Sequence, residues 1–192
     1  MKLFRGLDVN LDLQNPVVAV GSFDGVHQGH CRILQRMAEI ARQCGGHSVV
    51  VTFDPHPREV LHSDTDFFKI NTLERNLELM EAQMVDAVVI IPFTKEFSQL
   101  SYSQFLDSFV VKKLHAHTLV MGPNHAMGHN REGGRTAIEH LCACEGVKTV
   151  EIPEHLYLEA GVHSAEIRKL IRKRDFQTAS ALLGYSYEPS GL

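Results

Sequence analysis

No stretch of this 192-residue chain approaches the ~20 consecutive apolar residues that a bilayer-spanning helix needs. The first residues, Met1-Lys2-Leu3-Phe4-Arg5, lack the apolar run of a secretory leader. Cysteine is scarce: Cys31, Cys44, Cys142 and Cys144 show no Cys-x-x-Cys spacing, so neither a disulfide framework nor a dithiol motif is indicated. Free thiols in a reducing, cytoplasmic compartment are the expectation. An excess of one charge is also missing. The formal net charge of -4 gives no electrostatic support for binding nucleic acid or a membrane surface. Internal repeats, low-complexity tracts and linkers are absent. Histidine is plentiful, with 12 copies, yet neither His115-x-His117 nor the group His140, Cys142 and Cys144 has zinc spacing backed by a second ligand pair. Surface or packing roles are expected for both.

What the chain does have is concentrated in Val17-Val18-Ala19-Val20-Gly21-Ser22-Phe23-Asp24-Gly25-Val26-His27-Gln28-Gly29-His30. The β-branched run is too short and too valine-rich for a helix and reads as a buried parallel strand. A tight polar turn follows, and an apolar stripe through Ile33, Leu34, Met37, Ala38 and Ala41 marks the next helix, Gly29–Gln43. Gly21, Gly25 and Gly29 permit close approach of a ligand to backbone, because glycine has no Cβ to block it. The unpaired N–H groups of the helix start favour an anion. His27 and His30 beside them can donate hydrogen bonds to phosphate oxygens.

Strand and helix patterns then alternate. Apolar strands are expected at Val17–Gly21, Ser48–Phe53, Ala87–Ile91, Thr118–Gly122 and Lys148–Pro153. Helices are expected at Gly29–Gln43, Thr72–Met84 with Thr72 as N-cap, Ser101–Leu114, Arg135–Glu145, Ser164–Arg174 and Phe176–Leu183. This order predicts one α/β domain over residues 1–192, a Rossmann-like parallel five-stranded sheet with helices on both faces. Ligands of such sheets sit beyond the carboxyl ends of the strands, where the strand order reverses. The chemistry is therefore expected in the loops after Val17–Gly21, Ser48–Phe53, Thr118–Gly122 and Lys148–Pro153. The second contains Pro55-His56-Pro57, a wall stiffened by its prolines. The third is the long glycine-rich loop Gly122–Gly134, which contains Asn124, His125, Met127 and Arg131. In the fourth, Ser164 can cap the following helix, and Arg168 lies one turn further in, facing the same anion site.

The tetrapeptide His27-x-Gly29-His30 resembles the signature of the nucleotidyltransferase superfamily. The longer Gly21-Ser22-Phe23-Asp24-Gly25-Val26-His27-x-Gly29-His30 resembles its flavin branch, the FMN adenylyltransferase module of bacterial FAD synthetases. Thr52–Leu61 is similar to that family's Thr-Phe-x-Pro-His-Pro segment, and Pro92-Phe93-Thr94-Lys95-Glu96-Phe97 to its Pro-Phe-Thr-x-x-Phe segment. Arg174-Asp175-Phe176 through Gly184 is similar to its helical close. The resemblance covers Val17 to about Gly184 and implies transfer of AMP from ATP to FMN. His27 and His30 would then stabilise the α-phosphate transition state and leaving group. Gly21, Ser22, Phe23, Asp24, Gly25 and Gly29 would cradle ATP, with Ser164 and Arg168 on its β- and γ-phosphates. Pro55, His56, Pro57, Asn124, Met127 and Arg131 would face FMN. Mg²⁺ would be held mainly by the phosphates. Asp24 is a candidate metal ligand, although an Asp in a turn is more often a cap or turn former.

Three departures from the family pattern stand out. His125 and Met127 replace two aromatics of Gly-x-Asn/Asp-Phe-x-Phe-Gly. Ala165 replaces a threonine of Ser-Ser-Thr-x-Ile-Arg. The chain ends at Leu192, so no riboflavin kinase module is expected. Adenylyl transfer to another phosphate substrate, or nucleotide binding without turnover, stays open beside the flavin reading.

Overall fold

The computed structural model describes residues 1–61, 67–123, 125–153 and 162–188. Six parallel strands form the sheet: β1 (Lys2–Arg5), β2 (Val17–Val20), β3 (Ser48–Phe53), β4 (Ala87–Ile91), β5 (Thr118–Met121) and β6 (Lys148–Glu151). Their spatial order is β1-β4-β3-β2-β5-β6. Five were expected. The extra edge strand, β1, pairs with β4 in parallel register. Its sequence Lys-Leu-Phe-Arg is mostly exposed, so it carries no buried apolar run to announce it.

The helices are α1 (Gln28–Gln43), α2 (Pro57–Leu61), α3 (Leu73–Ala82), α4 (Tyr102–Phe105), α5 (Arg135–Cys144), α6 (Ser164–Arg172) and α7 (Phe176–Leu183). Thr72 caps α3, its hydroxyl accepting from the Arg75 amide as expected. The helix expected over Ser101–Leu114 is instead α4 followed by a π-helical stretch, Leu106–Val111. A capping box of Ser101 and Gln104 starts α4. No described helix is long and apolar enough to cross a membrane.

Alternation along the strands divides the core between the two faces of the sheet. Val18, Val20, Val49, Val51, Val89 and Leu119 pack with Phe105, Phe109 and Ile138 from α4, the π stretch and α5. Val17, Ala19, Val50, Val88 and Val120 pack with Leu34, Met37 and Met80 from α1 and α3. A third cluster, Ile70, Val162, Ile167, Ala179 and Leu183, joins α6 and α7 to the segment before α3.

The chain steps from β2 through β3 to β4 on one side, then crosses to β5 and β6 on the other. The order therefore reverses at β2, and the β2–α1 turn sits at that switch point.

Candidate active site

A tightly wound turn joins β2 to α1. Gly21 donates its amide to Val51 O, which ends the strand beside β3. Phe23, Gly25 and Val26 all take positive φ, at 46°, 84° and 36°. For the β-branched Val26 this is a strained backbone, of the kind that persists where surrounding structure over-determines it and that gathers at functional sites. His27 then caps α1, its Nδ1 accepting from the His30 amide at 3.3 Å. A neutral His27 with Nδ1 as acceptor carries its proton on Nε2. The rings of His27 and His30 stack at 3.7 Å between centroids and 16° between planes.

The helix start is buried at His27. His27 is 1 % exposed, and the His30 Nδ1 atom is shielded from solvent and bonded by no described group. Burial, with the nearby charges of His163 and Arg168, pushes the His27 pKa down to about 3. Burial and the neighbouring His27 hold His30 well below the usual imidazole range. Both rings are neutral near pH 7, so each can offer a hydrogen bond but not a cation.

His30 opens onto a cavity of about 870 Å³ at the carboxyl ends of the central strands. Gly21, Ser22 and Phe23 form its floor beside β2, and Gly122, Met127 and Arg131 come from the loop after β5. The opposite wall is aromatic: Phe53 at the end of β3, Phe93 and Phe97 after β4, and Phe105 of α4. These rings contact one another in a chain, with centroid separations of 5.5 to 5.9 Å. Arg58 and Arg131 line the cavity, and among the described residues no carboxylate does, so this lining suits an anionic ligand with an apolar planar part.

The loop after β4 was not among those expected to carry chemistry. Its motif Pro92–Phe97 was legible, but its facing was not. That facing depends on β4 lying next to β3, which brings Phe93 within 5.5 Å of Phe53. Arg58 and His125 also line the cavity and were likewise not assigned to a ligand.

The expected phosphate grip of Ser164 and Arg168 is arranged differently. Neither lines the cavity, and both hold Asp24. Asp24 is 2 % exposed, and its carboxylate accepts from the amides of Ile70, at 3.0 Å, and Asn71, at 3.4 Å. The Arg168 guanidinium forms an ion pair with the same carboxylate. Arg168 also donates through Nε to Phe68 O at 2.8 Å and lies 4.6 Å from the Phe67 ring centre. The Ser164 hydroxyl donates to the Asp24 carbonyl. Burial raises the Asp24 carboxyl pKa, and Arg168 with the two amides opposes it. Engaged this way, Asp24 ties the turn to Arg168 and to the segment before α3. Among the described residues no group of three His, Cys, Asp or Glu side chains could hold a metal ion.

The turn has further ties. Gly25 donates its amide to Asn76 Oδ1 at 3.1 Å, and the Tyr185 hydroxyl donates to Gly25 O. A Cβ at Gly25 would meet Ile70 at 3.1 Å, so this glycine is needed both for its positive φ and for that close packing. Gly25 and Gly29 are buried and do not line the cavity. Pro57 lines it as the first residue of α2, whereas Pro55 does not. The His56 Nδ1 accepts from the Arg58 amide, and its backbone amide donates to Glu59, so His56 organises the start of α2. Ala165 is exposed in the first turn of α6. Asn124 lies outside the described residues.

The loop after β5 is pinned rather than loose. Met127 and Gly133 exchange backbone hydrogen bonds at 3.1 and 3.0 Å, and His129 donates its amide to Leu100 O at 3.0 Å. Glu132 accepts from the Tyr102 amide. Gly128 has φ +84°, and a Cβ there would lie 2.3 Å from the Tyr102 nitrogen. Gly128→Ala should therefore destabilise the protein by more than about 1 kcal/mol, because both the backbone and the space reject it. Thermal denaturation reads this directly, and an unchanged midpoint would show that the loop moves off Tyr102 freely. Met127 is 9 % exposed and belongs to the core as well as the cavity, so a phenylalanine there would overpack before it could stack.

Stability should also depend on pH through the buried imidazoles. Burial lowers the pKa of His27 to about 3 and those of His56 and His125 to about 4. All three return to about 6.5 in the unfolded chain. Above that pH both states are neutral and these groups contribute nothing. Below it the unfolded chain takes up protons that the fold excludes, so stability falls as pH drops from about 6.5 towards 4. Urea midpoints at pH 7.5, 5.5 and 4.5 should decrease in that order; a level series would contradict the burial of these rings.

The FAD synthetase family model matches residues 10–166. A bifunctional riboflavin kinase/FMN adenylyltransferase of Listeria monocytogenes is 34% identical over 178 residues, covering 92% of this chain and 56% of that protein. One from Pseudomonas fluorescens is 32% identical and is matched over 100% of this chain and 61% of its own length. The chain thus spans roughly 56 to 62% of the length of such relatives. Among solved structures, a chain from Streptococcus pneumoniae described as a macrolide-efflux protein superposes with a TM-score of 0.80. It is 20% identical, with 96% of this chain and 60% of that one covered, and the likeness speaks to the fold alone. A family match over most of the sequence leads to one conclusion: this chain belongs to the FAD synthetase family.

Proposed function

We propose that this chain transfers the AMP moiety of ATP to FMN, giving FAD and pyrophosphate. The observation that carries the reading is that one cavity joins His30, at the anion-favouring start of α1, to a wall of four phenylalanines. The aromatic wall suits the flat ring system of a flavin. The two arginines of the described lining suit phosphates. A phosphate oxygen of FMN would attack the α-phosphorus of ATP, the bond from that phosphorus to the bridging oxygen would break, and pyrophosphate would leave with the electron pair.

Such a transfer needs positioning and charge stabilisation more than covalent help. Neutral His27 and His30 would donate hydrogen bonds to the α-phosphate oxygens as charge develops there. Arg58 and Arg131 would anchor phosphate oxygens from the cavity wall. Asp24, Ser164 and Arg168 would hold the turn that presents the histidines. Magnesium prefers oxygen and often uses few protein ligands, so Mg²⁺ would arrive on the ATP phosphates and supply charge neutralisation there. The reading implies a cytoplasmic reaction, where ATP is available.

The test is chromatography of protein incubated with ATP, FMN and Mg²⁺. FAD and pyrophosphate in equal amounts are the expected products. Bound ATP without turnover would point to a nucleotide-binding module, and turnover only with another phosphate acceptor to a sister adenylyltransferase.

A further inference from the structure

We propose that His125 is a specificity-determining residue that hydrogen-bonds, through Nε2, the polar edge of the flavin ring system. This rests on the flavin reading above and deepens it. Nε2 of His125 is shielded from solvent, and no described group bonds it. The residue lines the cavity that holds the aromatic wall. A buried ring nitrogen without a partner is costly to maintain in a fold, and native sites of this kind ask for an explanation.

The side chain sits on a scaffold that can aim it. His125 donates its amide to Gly122 O at 3.3 Å, and the loop beyond is fixed by the paired Met127 and Gly133. The His129 Nδ1 atom lies 3.2 Å from Ser98 O, which ties the loop to the segment after β4. A polar group held on anchored backbone loses little freedom when it binds.

The chemistry selects the ring edge over the phosphate. Burial and the charge of Arg131 keep His125 neutral near pH 7. A phosphate would be served by Arg58 and Arg131, which line the same cavity. A flavin presents carbonyl oxygens and a ring N–H along one edge. A neutral imidazole meets either, donating in one tautomer and accepting in the other. The aromatic wall would take the faces of the ring, and His125 its edge. The resemblance puts a phenylalanine at this position, so the histidine exchanges a stacking contact for a directional one.

Titration of FMN and riboflavin fluorescence tests this, using wild type, His125→Phe and His125→Gln. Wild type should bind both flavins. His125→Phe should weaken both by the same factor, about tenfold, which is ~1.4 kcal/mol. An unpaired ring edge held against the cavity wall outweighs the added stacking. His125→Gln, whose amide reaches the position of Nε2, should recover binding to within about threefold of wild type. If circular dichroism shows that His125→Phe does not fold, His125→Ala takes its place in the comparison. Equal or tighter binding by His125→Phe overturns the inference, as does a loss confined to FMN, which would place His125 on the phosphate. Wild type that binds ATP but neither flavin removes the flavin reading itself, and the inference with it.

Discussion

His30→Ala should lower kcat for the proposed adenylyl transfer by about a hundred- to a thousandfold, the usual effect of deleting one preorganised donor at developing charge, while leaving the protein folded. His30 faces the cavity, and its Nδ1 has no described protein partner to lose. Its ring packs on His27 and lies 5.1 Å from Phe23, so truncation removes contacts at the rim of the core, not its centre. His27→Ala should differ. It would remove the cap of α1 as well as a donor, costing about 1 kcal/mol of stability in addition to the rate. Steady-state rates beside thermal midpoints separate the two variants. A wild-type rate in His30→Ala would take this residue out of the mechanism.

Asp24→Ala should destabilise the fold by about 3–5 kcal/mol, because it strands a buried guanidinium without its counter-charge. Arg168 is 7 % exposed, so water cannot easily replace the lost carboxylate. The amides of Ile70 and Asn71 would lose their acceptor in the same step. Arg168→Ala should be comparably severe, and the double variant should cost clearly less than the sum, since each single change already breaks the shared pair. Denaturant unfolding of the three variants measures this coupling. Additive losses would show that Asp24 and Arg168 act independently, and a small loss in Asp24→Ala would return Arg168 to the role of a ligand-facing arginine.

The parts of this molecule that depend on local pattern were legible in its residues. The buried stripe of α1 falls on Ile33, Leu34, Met37, Ala38 and Ala41 as its spacing requires, and Thr72 caps α3. The β2–α1 turn announced itself because glycines, a valine run and two histidines coincide there. What escaped depends on chain segments meeting from afar. The Asp24–Arg168 pair joins residues 144 apart in sequence, and nothing local tells a buried arginine from one that faces a ligand. The aromatic wall needs β4 beside β3 before Phe93 can meet Phe53. The edge strand β1 hides because an exposed four-residue strand shows no hydrophobic period.

The α6–α7 pair rests on its own small apolar cluster, apart from the two that cover the sheet. It reaches the β2–α1 turn through Ser164, Arg168 and Tyr185, and α1 through the Gln28 amide on Ala181 O. A small cluster of this sort can open as a unit while the sheet stays closed. Each opening would remove the Arg168 tie of Asp24 and the Tyr185 tie of Gly25 together, so the shape of the turn and the closure of the helix pair are coupled. A ligand that grips the turn should then slow amide exchange in α6 and α7, although neither helix lends a described residue to the cavity wall.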